Sequence, residues 1–192
     1  MFRRRAMYRR GMLRRLSTLE PGPRQMLINA NQLKDSGKYE QAADIFERLA
    51  RGAENRGMLV RAPHLYLEAA HCRLISKQVP SGIDLMWKGF HLLEKTNRWQ
   101  AIFKNGNAAV MELQRAGHAE AANKLQTWVD QMIKDHPEAT SAPPELTTAK
   151  KPTRFPPKCP QCGASIHLNR VDWIDEATIE CPYCGSAIQS EE

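Results

Sequence analysis

The ten residues Gly37–Phe46, which read GKYEQAADIF, give the clearest indication of the fold of this 192-residue chain. They lie in a long region, residues 24–136, that has helical periodicity almost throughout. Just before them, Met26, Leu27, Ala30 and Leu33 recur at steps of three and four residues. Such spacing places apolar and small side chains on one face of a helix, so this region is predicted to be helical.

A weak internal repeat runs through the same region. A step of 40 residues leads from Ala42 to Gly82 and from there to Ala122, each a small residue in a similar local sequence. Twelve residues before the first two lie Ala30 and Ala70, whereas the third unit has a valine at that place. The chain therefore contains three units of about equal length.

The first unit closely resembles the turn and second helix of a tetratricopeptide repeat. The resemblance implies that Gly37 ends one helix, that Tyr39 opens the next, and that Ala42 and Ala30 let the two helices approach. Units of that family are about 34 residues long, so a 40-residue period indicates longer helices or loops. We therefore predict a mainly α fold with six helices in three antiparallel, tetratricopeptide-like hairpins. The alternative is a plain helical bundle whose spacing is accidental.

The hairpins should be held together by a shared apolar core, because one helical hairpin cannot bury its apolar face alone. An apolar content of 42% is sufficient for such a core. The predicted core residues are Phe46, Leu49, Leu65, Leu74, Leu85, Met86, Leu92, Ile102, Phe103, Leu113, Leu125, Val129 and Ile133. The tryptophans Trp87, Trp99 and Trp128 are predicted to pack between helices.

Four of the five cysteines predict a metal site near the C-terminus. Cys159 and Cys162 lie in CPQCG, and Cys181 and Cys184 in CPYCG, with 18 residues between the two pairs. This C-x₂-C-x₁₅₋₂₀-C-x₂-C spacing is a strong zinc signal, and four thiolates complete a closed tetrahedral shell with no place for water. We predict one structural Zn²⁺ per chain in a module that resembles a zinc ribbon, with strands at 165–174 and 178–180.

Other readings of the cysteines remain open. A rubredoxin-type iron centre uses the same ligands, and a redox role for the CxxC pairs is a weaker alternative. A RING-type module is disfavoured, because it would need eight ligands and the two motifs supply only four cysteines. His167 is expected to lie on a strand surface, because four thiolates already fill the shell. The fifth cysteine, Cys72, sits in a helical pattern and is expected to be a core residue, with its neighbour His71 on a hairpin face.

The net charge of +7 is carried by the N-terminus. Residues 1–24 hold eight arginines and one acidic residue, residues 25–152 are near neutral, and residues 153–192 have a net charge of −3. Seven of these arginines alternate with apolar residues in a basic amphipathic segment. They are Arg3, Arg4, Arg5, Arg9, Arg10, Arg14 and Arg15. The segment could contact an anionic membrane surface, nucleic acid or an acidic protein groove, or remain a solvated tail.

These patterns divide the chain into a basic segment (1–23), a helical domain (24–136), a Pro-rich linker (137–158) and a zinc ribbon (159–188). A membrane span or an export signal is not expected, and the cysteine usage favours a reducing compartment, the cytoplasm. We find no catalytic arrangement and expect no small-molecule substrate. The sequence therefore predicts a non-enzymatic adaptor that binds protein partners. The alternatives are a nucleic-acid-associated factor and an accessory, E3-like component of a ubiquitin-like conjugation pathway.

Overall fold

Six α-helices make up most of the part of the chain that the structure describes. The computed structural model describes residues 22–140, 154–168, 171–175 and 177–190. The helices in these ranges are α1 (Pro23–Asp35), α2 (Tyr39–Asn55), α3 (Ala62–Ile75), α4 (Val79–Lys95), α5 (Trp99–Arg115) and α6 (Ala119–Asp135), followed by a 3₁₀ turn (Pro137–Thr140). The predicted mainly α fold is confirmed.

The helices end at regular intervals of 20 residues. Gly37, Gly57, Lys77, Asn97 and Gly117 all adopt positive φ, between 56° and 81°. At each of them the next residue donates a backbone hydrogen bond of 2.8–2.9 Å to the carbonyl five positions earlier, as from Lys38 N to Leu33 O. This is the Schellman arrangement, which satisfies carbonyls at a helix end. Two such intervals make one hairpin, so the 40-residue step seen in the sequence is the hairpin repeat.

Small residues let the helices within a hairpin approach. Ala30, Ala42, Ala70 and Ala122 are fully buried. A Cβ atom added at Gly82 would lie 3.0 Å from the Leu74 side chain and 3.3 Å from the Ala70 carbonyl oxygen. The close contact of α3 with α4 therefore depends on the absence of a side chain at this position.

The helices lie in two layers, and charged and aromatic contacts connect the helices within each layer. Lys34 of α1 pairs with Glu68 of α3, and His71 of α3 pairs with Glu112 of α5. These pairs join α1, α3 and α5, which we call the first-helix layer. In the other layer, Glu54 of α2 pairs with Lys88 of α4, and the Trp87 ring of α4 meets the Trp128 ring of α6 edge to face at 5.5 Å.

The core lies between these layers. Of the thirteen predicted core residues, eleven are buried, whereas Phe103 and Ile133 are only half-buried. Both exceptions belong to the α5–α6 hairpin, which ends the array. Within the described residues no fourth hairpin covers its outer face, so these two side chains keep part of their surface in water.

The C-terminal module is a small antiparallel sheet in the order β1 (Asp172–Asp175), β2 (Thr178–Glu180) and β3 (Ala187–Gln189). Trp173 pairs with Ile179, which pairs with Ile188. The prediction of a strand over 165–174 was too long, because Ser165 makes only an isolated bridge to Lys158. The strand β3 was not predicted, because its three residues are too few to show an alternating pattern.

Candidate metal centre and the ribbon–helix cleft

The four predicted ligands converge on one point. The Sγ atoms of Cys159, Cys162, Cys181 and Cys184 all lie within 4.8 Å of one another. Cys159 and Cys184 are 3.7 Å apart at sulfur, and Cys162 and Cys181 are 3.8 Å apart. A tetrahedron with metal–sulfur bonds of about 2.3 Å has sulfur–sulfur edges of about 3.8 Å. The cysteine cluster can therefore hold a metal ion such as zinc.

Two loops of equal geometry present these sulfurs. In the first knuckle, Cys159–Gly163, the Gly163 amide donates to the Cys159 carbonyl at 2.8 Å; in the second, Cys181–Gly185, the Gly185 amide donates to the Cys181 carbonyl at 2.8 Å. Both glycines have positive φ, 75° and 71°, a conformation that other residues adopt at a cost. The repeated CPxCG sequence is thus explained by one turn used twice.

Electrostatics favours occupation by a cation. Hydrogen bonding to Cys181 and Cys184, together with burial, raises the pKa of the Cys162 thiol well above its ordinary value. Four thiolates could not stay packed at these distances without a positive charge between them. A divalent cation displaces the thiol protons and supplies that charge. The closed set of four sulfurs suits a structural rather than a catalytic metal.

The fifth cysteine takes no part in this cluster. Cys72 is fully buried in α3, and burial raises the pKa of its thiol to about 12. It is a core residue, as predicted. His167 is exposed and lies at the edge of the cleft described below.

The first knuckle rests on α1. Asn31 is buried, with 3% of its surface exposed, and its Nδ2 donates to the Cys162 carbonyl and to the Leu27 carbonyl, both at 3.0 Å. At the rim of this contact Lys158 pairs with Asp35, and Arg24 hydrogen-bonds to Gln161. Because Cys162 belongs to the cysteine cluster, the Asn31 side chain connects the helical domain directly to the candidate metal centre.

The second knuckle rests on α3. The Tyr183 hydroxyl donates to Glu68 Oε1 at 2.7 Å, and Lys34 Nζ lies 2.7 Å from Glu68 Oε2. Burial by itself would raise the pKa of Glu68, but Lys34 and Tyr183 lower it overall. The carboxylate therefore stays charged while both of its oxygens are engaged. A buried carboxylate with two such partners fixes the orientation of the ribbon on the helices.

None of these contacts between the helices and the ribbon was predicted from the sequence. Asn31 and Glu68 look like ordinary polar positions of amphipathic helices, and their buried neighbours Ala30 and Ala69 do not indicate that they face inward, because consecutive helical residues point in different directions. The ribbon is consequently more than a module held by the linker: it covers part of the first-helix layer.

A cleft of about 380 Å³ remains between the ribbon and the first-helix layer. Its walls include His71, Asn105 and Glu112 from the helices and Ser165, His167 and Tyr183 from the ribbon. His71 Nδ1 lies 2.6 Å from Glu112 Oε1, and the hydrogen bond to Glu112 raises the pKa of His71. The cleft is polar, and both modules are needed to form it.

The tryptophans, the N-terminal arginines and the linker were also singled out in the sequence, and the structure describes only some of them. Trp87 and Trp128 pack between helices, and Trp99 stacks on His136 at 3.6 Å. The seven arginines of the N-terminal segment lie outside the described residues, as does most of the Pro-rich linker. Among the described helices, none combines the length and apolar character required to cross a membrane.

No family model, curated protein or solved structure matches this chain.

Proposed function

We propose that this protein is a non-enzymatic adaptor that binds a segment of a partner protein in the cleft between the zinc ribbon and the first-helix layer. The observation that carries the proposal is the cleft itself, whose volume of about 380 Å³ lies within the range of ligand-binding sites. Stacked helical hairpins commonly bind partners along an extended face. The tetratricopeptide resemblance of the first unit favours the same use.

The lining of the cleft suits a polypeptide ligand. Hydroxyl, amide, imidazole and carboxylate groups from the two modules converge there, and such groups can pair with the backbone and polar side chains of an extended segment. In this proposal one structural Zn²⁺ per chain keeps the ribbon folded, so that it forms one wall. A reducing compartment such as the cytoplasm would keep the four thiols available for metal.

A pair of variants on one helix tests the proposal. Asn105→Arg places a long charged side chain in the cleft, whereas Gln114→Arg makes the same kind of change at an exposed position of α5 that does not line it. Full-length zinc-loaded protein and both variants would be used to purify partners from the source cell. Bound proteins are identified by mass spectrometry, with nuclease treatment in parallel.

The adaptor proposal expects nuclease-resistant partners that are retained by the wild type and by Gln114→Arg but lost from Asn105→Arg. Equal recovery by both variants would exclude the cleft as the binding site. Partners that disappear on nuclease treatment would instead favour the nucleic-acid alternative, which relies on the N-terminal arginines.

A further inference from the structure

The outer edge of the ribbon exposes large apolar side chains. Trp173 and Ile174 of β1 are 38% and 56% exposed, and Leu168, just before the strand, is 43% exposed. Single apolar residues are common on surfaces, but Trp173 and Ile174 are consecutive and Leu168 lies five residues before Trp173, so this short stretch concentrates exposed apolar side chains in the way that interaction sites do. The Phe155 ring adds to this apolar surface, because it contacts the Trp173 ring at 5.5 Å. We call these four residues the ribbon patch.

The charge beside the ribbon patch limits what can cover it. The hairpin of β1 and β2, residues 171–180, carries four acidic residues and no basic residue. Nucleic acid and anionic lipid would be repelled by this hairpin. An amphipathic segment with an apolar face and many cationic side chains fits both properties.

This chain contains such a segment. Residues 2–16 have Phe2, Ala6, Leu13 and Leu16 near one face of a helix, with the seven arginines of the N-terminus around them. The segment leads into α1 beside the ribbon, since Arg24, in the first turn of α1, contacts Gln161 of the first knuckle. A 15-residue helix is about 22 Å long, and a module of this size has a radius of gyration of about 9 Å. The ribbon patch is therefore within reach.

We propose that residues 2–16 dock in cis on the ribbon patch, with their apolar face on Trp173 and Ile174 and their arginines beside the acidic hairpin. Docking pairs the most basic part of the chain with its most acidic part and removes the exposed apolar surface from water. An anionic ligand of the arginines would then have to compete with the ribbon. This inference does not depend on the adaptor proposal, because none of the four residues of the ribbon patch lines the cleft.

Photo-crosslinking in the full-length zinc-loaded protein tests the docking. The variant Leu13→p-benzoylphenylalanine carries the reactive group on the apolar face of the segment. Crosslinks are mapped by mass spectrometry in a mixture of isotopically light and heavy chains, which separates crosslinks within one chain from those between chains. We expect crosslinks within one chain to Leu168 or to residues of β1.

Two further substitutions identify the surface. Ile174→Ser should reduce the yield of these crosslinks at least about fivefold, whereas Met111→Ser, at a similarly exposed apolar position of α5, should leave the yield unchanged. Raising the salt concentration from about 0.05 M to about 0.5 M should also reduce it several-fold. Both exposed positions should tolerate serine, and unchanged zinc content verifies that the ribbon is folded.

Vesicles containing phosphatidylserine provide an independent measurement. Docking in cis predicts that Ile174→Ser binds these vesicles several-fold more tightly than the wild type, because the segment is released. Equal vesicle binding by the two proteins would overturn the proposal, as would crosslinks that map only to the helical domain or are absent. Crosslinks only between different chains would assign the patch to a second copy and would overturn docking in cis.

Discussion

Replacement of Asn31 by alanine should weaken metal binding, although Asn31 is not a ligand. A small ribbon folds only with its metal, so the free energy of docking onto the helices adds to the free energy of metal binding. Asn31→Ala removes the 3.0 Å hydrogen bond from Nδ2 to the Cys162 carbonyl and leaves that carbonyl without this partner in a buried contact. Such a loss costs about 1–3 kcal/mol, and 2 kcal/mol corresponds to about a 30-fold change in affinity.

The assay is a competition titration of the full-length protein against a chromophoric zinc chelator at fixed pH. Asn29→Ala is the matched control, because Asn29 lies on the same helix but is exposed. The expected result is a zinc affinity reduced about 30-fold for Asn31→Ala and unchanged for Asn29→Ala. If Asn31→Ala bound zinc as tightly as the wild type, docking and metal binding would be independent, and the proposed composite cleft would lose its dependence on zinc.

Three other perturbations test the packing of the helices. Gly106→Ala should lower the free energy of unfolding, measured in urea, by roughly 1 kcal/mol even after the gain in helix propensity, because the new Cβ would lie 2.6 Å from Val129 Cγ2. The same substitution should cost less in a Val129→Ala background, and an equal cost in both backgrounds would contradict the clash. Lys77→Gly should raise the free energy of unfolding by about 0.5–1 kcal/mol, since Lys77 has a φ of 62°, and a decrease would show that the lysine side chain stabilises the turn. The hydrogen bond to Glu112 raises the pKa of His71 above 6.5, so the stability that protonated His71 adds to the folded state is full below about pH 6 and is lost as pH rises through the folded pKa. The difference in melting temperature between wild type and His71→Gln should therefore shrink between about pH 5.5 and about pH 9, and a constant difference would refute this.

Sequence reasoning predicted those features that have their own local pattern. The four cysteines were identified because each CPxCG motif indicates both the two candidate ligands and the turn that presents them. Most of the core followed from helical periodicity, and the hairpin period followed from small residues such as Ala42 and Ala122. Lys77 and Asn97 were not recognised as helix ends, since positive φ is usually signalled by glycine.

The contacts between the modules could not be predicted. Asn31 lies 131 residues from its partner Cys162, and Tyr183 lies 115 residues from Glu68. A single polar residue on a helix has no periodic signal that distinguishes a buried interdomain donor from a solvated side chain. The assignment of these residues required the three-dimensional arrangement.

The attachment of the ribbon to α1 and α3 also changes how the array should lose its structure. In a linear array each hairpin contacts only its neighbours, so both ends fray with equal ease. Here the C-terminal module returns to the N-terminal hairpin and to α3, which closes that end of the array through contacts distant in sequence. Local opening should then begin at the α5–α6 hairpin, and the amides of α6 should exchange with solvent before those of α1. We therefore expect the contacts of the C-terminal module to make unfolding more cooperative at the N-terminal end of the array than at the α5–α6 hairpin.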